Sequence, residues 1–516
     1  MALSTLRALH AEIGRSLDDM EKTYKSAPSK VDYPHLDDPY YSTQKHAPDV
    51  AMAEALTIEP RVFAAANRIV AACGQLTATV HKPFYSLVES VNAGAFLACL
   101  QVLESANVVE ILREAGPDGL HVEEIASKAG GLHRKTEDGR PGPVSLDPAK
   151  LGRVLRLLAT YHWLREVKPD VFANNRLSSF LDTGKSTKEL LRSPEEKYDG
   201  TDGVAAYLAT SGDEVFKVMS YLSDWLVDDG GANYASAFNL AFKTPLKYYD
   251  WLEEPGNKGR MRRFGHSMNG TRQWELAENV IHGFAWDELP QDAVVVDVGG
   301  GIGSVSVILA EAYPHLRFVV EDRAPVVAIA PQAWGSRHAE LFQAGRVSFH
   351  GQDFFQPQGL FRVPGIGVVH EPAVYLLRAV AHNWPDEKVW EILLNLRRAA
   401  GPQTKLLIVD NLLPYACVDD ESAGGENGRS GDAESDALGT VRSLVPDGSP
   451  LLPNLGRASA NGYILDITML GRFDAKERTF REMDVLARSA GWRIVRVKRA
   501  VGSLWAYIIA EPLGGA

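Results

Sequence analysis

Hydrophobic positions in the first part of the chain recur at helical intervals. Leu151, Val154, Leu155 and Leu158 fall on one helix face, and Val102, Ala106, Val109 and Ile111 keep the same period less strictly. The opening MALSTLRALHAEIGRSLDDMEK predicts a charged amphipathic helix, and residues up to about 285 read as helical. Pro28–Ser42, rich in Pro, Asp and Tyr, predicts an irregular arm, and the polar stretch Gly130–Pro148 predicts a loop between helices. Around that loop, LHVEEIASKAGG and DPAKLGRVLRLLATYHWLREV, then DVFANNRLSSFL, predict helix, helix and a short hairpin. That is the order of a winged helix.

From about Val294 the pattern changes. Apolar runs of strand length (VVVDV, RFVVED, RVSFHGQDF, AVYLLRAVAH, KLLIVDNLL, RIVRVKRAV and LWAYIIAEP) take over. The earlier runs alternate with helical periods, which predicts βαβ units on a parallel sheet covered on both faces. Between the last two runs lie only Gly502 and Ser503, too few residues for a crossover helix, so these strands pair antiparallel. Tyr415–Ala460 breaks the alternation, with no periodicity and eight acids against three arginines, and predicts a partly disordered insertion.

Composition narrows the class. The 516 residues suit two to four domains at about 150 residues each, and 45% hydrophobic with 23% charged residues is a globular balance. A net charge of −12 argues against a nucleic-acid binder or an anionic-membrane binder. The three cysteines, Cys73, Cys99 and Cys417, have no metal-ligand spacing, so neither a disulfide framework nor a structural metal is expected. The N-terminus lacks the apolar core of a secretory signal, and the stretch Ala93–Leu103 falls short of the roughly 20 apolar residues of a membrane span. The expectation is a soluble, cytoplasmic protein.

Candidate chemistry gathers at the ends of the expected strands. VVVDVGGGIGSVSVILAEAYP places Asp297 at a strand end, glycines at 299, 300, 301 and 303, and a helix from near Ser304. Glycines there permit a tight turn and let a ligand approach backbone N–H groups. A dinucleotide fingerprint requires its third glycine at 304, which is Ser304. That residue and the antiparallel terminal hairpin disfavour a nicotinamide-dependent oxidoreductase. S-adenosylmethionine (SAM) has no phosphate and carries ammonium and sulfonium charges, which Asp297 favours by ordering the turn. About 20 residues on, Glu321 and Asp322 end the second strand, where an acid accepts hydrogen bonds from a ribose diol; Asp322 is the better placed. Asp353 ends the third, placed equally for an adenine amino group or for a turn. His382 follows the fourth strand and Asp410 ends the fifth, a general base and an acid to orient it, or else a structural histidine and a cap.

With DVGGGIGS, VVEDRAPVV, GQDFF, AHNWPDE, LLIVDNLLP, ILDITML and KERTFREM present in order, the chain resembles the plant caffeic acid and isoflavone O-methyltransferase family in its fungal form. The resemblance spans roughly Leu97–Pro512 apart from the insertion. It implies an α/β fold: a seven-stranded Rossmann-like SAM-binding domain behind an N-terminal helical winged-helix dimerisation domain. The expected division is a helical arm at 1–80, a dimerisation and acceptor-binding region at 81–285, and a catalytic domain at 286–516 with a flexible insertion at 415–460. By the same resemblance His382 is the general base, flanked by Asp410 and by Glu477 of KERT. Gly299, Asp322, Asp353, Phe354 and Arg378 match cofactor-contacting positions, with Gly301 and Asp297 in the same turn and Trp384 a cofactor-facing aromatic. Met268 and Met469 match methionines lining the acceptor site, and Asn383 stands where the family commonly has Asp. No metal is implied. The implied partners are a hydroxylated small-molecule acceptor of secondary metabolism and a second copy of the chain. The alternative is a catalytically inactive, methyltransferase-like binding or regulatory protein.

Overall fold

The computed structural model describes residues 2–132, 146–227, 234–275, 277–334, 338–418, 443–499 and 502–514. Residues 133–145 of the expected inter-helix loop and 419–442 of the insertion lie outside the described residues. Two compact units are formed, one from Leu17–Val62 and Thr77–Gln273, the other from Met1–Ser16, Phe63–Leu76 and Trp274–Ala516.

The first unit contains the winged helix. Strand β1 (Leu120–His121) leads into α1 (Val122–Leu132), then come α2 (Pro148–Thr160), β2 (Arg165–Lys168) and β3 (Val171–Ala173). The strands pair antiparallel in the order β1-β3-β2. Helix α2 starts where Asp147 accepts from Ala149 N at 2.9 Å with Pro148 in the first turn, and it buries Leu151, Leu155 and Leu158. The looser period over Val102–Ile111 is two helices, Ala93–Ser105 and Val108–Ala115, because Asn107 turns the chain left-handed at φ 54°. The irregular arm is pinned by its backbone: Arg176 N donates to Leu36 O and Tyr40 N to Ser179 Oγ, both at 2.9 Å.

The second unit is built on a seven-stranded sheet of β4 (Val294–Val298), β5 (Arg317–Asp322), β6 (Val347–Gly351), β9 (Val374–Arg378), β10 (Lys405–Asp410), β11 (Trp492–Arg499) and β12 (Ala506–Pro512). A small hairpin absent from the sequence expectation, β7 (Phe361–Val363) with β8 (Gly367–Val369), precedes β9. The sheet order is β11-β12-β10-β9-β4-β5-β6, parallel except for β12, which runs antiparallel to both neighbours. Helices α3 (Ser304–Ala312), α4 (Asp386–Ala399) and α6 (Phe480–Ser489) cover it, while α5 (Ala460–Phe473) packs on the turn that follows β9. All five residues of β4 are buried, as a central parallel strand demands. One apolar layer joins Val296, Leu377 and Ile408 to Leu393 and Met483 of the covering helices. A small outlying cluster brings Leu9, Ala71 and Ala72 together with Leu451. Among the described residues no single helix is long and apolar enough to cross a membrane.

Candidate active site

The sheet order fixes where a ligand fits. From β4 the chain winds through β5 to β6, then crosses back to β9 on the other side of β4. The carboxyl ends of β4 and β9 therefore open a crevice at the topological switch point.

The β4 side of the crevice is a turn held by backbone. Gly299, Gly301 and Gly303 take φ of 71°, 61° and 82°, values a residue with a Cβ rarely adopts. Gly299 N and Gly300 N donate to Glu321 O at 2.8 and 3.1 Å, which ties the turn to the end of β5. Asp297 lies beneath, buried, its Oδ2 accepting from Ser306 Oγ at 2.7 Å. Burial pushes its carboxyl up to about 6, against the lowering effect of the Ser306 hydroxyl. Strand alternation sends Glu321 inward, 3.1 Å from His350 Nδ1, and leaves Asp322 at the turn. There Asp322 Oδ2 accepts from Gly301 N and Oδ1 from Arg323 N, both at 2.8 Å. Each carboxylate oxygen keeps a lone pair for a further donor such as a ribose hydroxyl. A Cβ placed on Gly301 meets nothing within 4 Å, whereas one on Gly299 meets Val380 at 2.8 Å, so the turn opens toward free space with an apolar wall beside it. These acids and this open glycine turn fit the cationic, phosphate-free SAM.

Beyond β6, Asp353 is exposed and its Oδ1 accepts from Phe355 N at 3.0 Å, a turn-forming bond. Phe354 and Phe355 meet Trp384 edge-on, with ring centres 6.0 and 4.8 Å apart. At the end of β9 the Arg378 Nη2 lies 2.7 Å from Glu275 Oε2, and its guanidinium rests 5.5 Å from the Trp505 ring centre. Glu275 also accepts from the hydroxyls of Tyr507 and Ser503. Sequence reasoning passed over Glu275 and Trp505, because no motif marks either residue.

The β9 side of the crevice carries the acid–base group. After Arg378 the chain passes through Ala379 at φ 52°, a left-handed conformation costing about 1–3 kcal/mol for a non-glycine residue. It then forms the helical turn Ala381–Asn383. Asn383 Nδ2 fastens the turn by donating to Ala379 O at 3.1 Å, a bond that a carboxylate at this position has no proton to make. His382 is 8% exposed, and its Nδ1 lies 2.7 Å from Oε1 of Glu477, itself 3% exposed. A carboxylate only accepts, so Nδ1 carries the proton and Nε2 of the neutral ring keeps its lone pair. Burial alone lowers the basicity of His382, but the Glu477 charge and hydrogen bond, with the Asp410 charge, lift it above its ordinary value. Trp505 closes one side, edge-on to the imidazole at 5.6 Å.

The two acids expected beside His382 differ. Asp410 is 2% exposed, and neither of its carboxylate oxygens finds a hydrogen-bond partner among the described residues. Burial pushes its carboxyl up to about 7 in spite of the nearby imidazole. Glu477 alone of the two holds the ring. Met469 is buried on α5, with Leu465 and Ala475 against Trp274 and Phe473, and α5 packs on the turn that carries His382. Met268 belongs to the winged-helix unit, on helix Lys258–Gly270, where it is 41% exposed.

Known proteins share this architecture. A family model described as an O-methyltransferase domain matches residues 219–424. An O-methyltransferase of Armillaria gallica is 36% identical over 520 residues, covering 99% of this chain and all of the relative. A protein named 4-O-methyltransferase 1, from Phanerochaete chrysosporium, is 36% identical over 459 residues, 88% of this chain and 89% of its own. Among solved structures, LepI in complex with SAM superposes with a TM-score of 0.59 at 19% identity, covering 90% of this chain and 97% of that one.

Proposed function

The chain belongs to the plant caffeic acid and isoflavone O-methyltransferase family in its fungal form and uses SAM as methyl donor; from that premise we propose that it methylates a phenolic or enolic hydroxyl of a small aromatic metabolite, with His382 as general base. The observation that carries this reading is the buried His382–Glu477 pair at the crevice, with Nε2 left to accept a proton.

When bound, SAM supplies an electrophilic methyl group on a sulfonium. Asp322 would hold its ribose diol, Asp353 its adenine amino group, and Phe354, Trp384 and the chain around Gly299 and Gly301 would enclose it. Arg378 would line the same site with its charge balanced by Glu275. A phenol with a pKa of about 10 stays protonated at neutral pH and is a poor nucleophile. His382 Nε2 takes that proton as the hydroxyl oxygen attacks, and Glu477 stabilises the resulting imidazolium through Nδ1–H. Trp505 presents an aromatic wall beside the imidazole, which suits a planar acceptor. Relatives named 4-O- and 3-O-methyltransferase support an oxygen acceptor at a defined position.

An assay with labelled SAM against phenols, enols, amines and thiols, with mass detection of product, tests the reading. Methylation confined to hydroxyls supports it, transfer confined to nitrogen or sulfur overturns it, and no transfer from SAM-bound protein favours the binding-protein alternative. The proposed assembly is a homodimer, supported by Phe84, Leu87 and Val91, which stand exposed along helix Pro83–Val91. An interface of about 2,000 Å² or more is expected, and a monomeric mass in light scattering at micromolar concentration overturns it.

A further inference from the structure

The segment Lys476–Thr479 reaches back to the turn that carries His382, and each residue does something different there. Lys476 Nζ bridges Asp386 Oδ2 at 3.0 Å and Glu482 Oε1 at 2.9 Å. Glu477 holds the imidazole, and Thr479 caps α6 in reciprocal bonds with Glu482. Arg478 has no part in the chemistry proposed above, yet it is buried to 2% exposure. Its Nη1 donates to Ala381 O at 3.0 Å, Nη2 to Trp384 O at 2.8 Å, and Nε to Asp386 Oδ1 at 2.9 Å. Ala381 and Trp384 bracket His382 in the chain. The Arg478 carbonyl accepts from Leu413 N at 2.9 Å, so the same residue also fastens the chain leaving Asp410.

A guanidinium is a rigid planar fork, and a buried one is stable only with its donors engaged. Two carbonyls on opposite sides of His382 are therefore fixed relative to each other and to Glu477, the residue next to Arg478. The strained Ala379 gives this turn a reason to relax if the fork is removed.

We infer that Arg478 is a positioning residue: by pinning the carbonyls of Ala381 and Trp384 it sets the separation and angle at which Glu477 holds the His382 imidazole. This rests on the reading of His382 as base. A lysine at 478 keeps the charge and loses the fork, so Arg478→Lys should lower kcat about tenfold or more. KM for the acceptor and Kd for SAM, measured by calorimetry, should stay within about twofold. In a His382→Ala background the same substitution should change kcat by less than about twofold, because the group it positions is gone. Asp386→Asn, at the partly exposed end of the network, should cost about two- to threefold in kcat without threatening the fold.

An Arg478→Lys enzyme with kcat within twofold of the parent overturns the inference, as does an equal loss in both backgrounds. If Arg478→Lys does not fold, an Asp386→Asn enzyme with unchanged kcat overturns it instead. A His382→Ala enzyme of undiminished kcat overturns the base reading first and this one with it. A His382→Ala loss beside an unmoved Arg478→Lys enzyme overturns this one alone.

Discussion

The two sides of the crevice are built by different means. The glycine turn after β4 is held by backbone bonds to a neighbouring strand and by one carboxylate about 20 residues away. The histidine turn after β9 is held by side chains that arrive from far along the chain: Glu477 lies 95 residues beyond His382, and Arg478 reaches Ala381 across 97. A backbone-built turn has its instructions in its own residues, since glycine takes those angles without the cost that a residue with a Cβ carries. A turn built by side chains depends on a fold that is already complete.

Deleting the base separates the two sides most sharply. His382→Ala should lower kcat by about 10²–10⁴-fold while leaving SAM affinity unchanged, and activity should partly return toward pH 10, where a phenol ionises unaided. Kinetics and calorimetry on one preparation check both halves of that statement. Near-normal kcat at neutral pH makes His382 structural.

Asp410 offers a contrast within the histidine side. Folding raises its carboxyl to about 7, so the folded protein keeps a proton that the unfolded chain releases from about pH 4 upward. Stability is thus lost as pH climbs through that window. Asp410→Asn should gain about 2–4 kcal/mol at pH 8, shrinking as pH falls toward 5. Thermal melts across that range read the gain, and one independent of pH contradicts the charge argument.

On the glycine side, Asp322→Ala should weaken SAM binding about ten- to a hundredfold, by about 1.5–3 kcal/mol, with kcat at saturation nearly intact. Unchanged affinity in calorimetry removes its ribose role. The smallest effect is a displacement in pH. His382 is faced by Glu477 and Asp410, and its raised basicity means that proton acceptance switches on only as pH rises through that raised value. Glu477→Gln removes the leading cause of the rise, so the acid limb of the kcat profile should move to lower pH, together with a loss in maximal kcat. An unmoved limb leaves the imidazole uncoupled from Glu477.

The same contrast explains how much was legible beforehand. The strand runs and their antiparallel end could be read because buried strands repeat a simple pattern, and β4 is five buried residues in a row. Asp297, Asp322, His382 and Asp410 stood out because each sits where a predicted strand stops. The break at Asn107 stayed hidden because left-handed turns need no glycine when asparagine is present. Glu275, Trp505 and Arg478 stayed hidden for a deeper reason. Their partners are chosen by tertiary contact, and nothing in their neighbours' spacing announces it. That Glu477 rather than Asp410 binds Nδ1 was equally beyond a one-dimensional reading.

The position of β12 has a consequence for how the protein is made. This strand lies inside the sheet, between β10 and β11, rather than at its edge. A ribosome must therefore deliver residues up to Pro512 before the sheet can be zipped shut, and until then β10 presents an unsatisfied flank. Trp505, which walls His382, enters just ahead of the same strand. A message cut short by a nonsense codon a few residues before Trp505 would thus yield a chain with an intact glycine turn, an open sheet and no finished chamber for the base. Such a product is expected to be a client of chaperones and proteases rather than a weak enzyme.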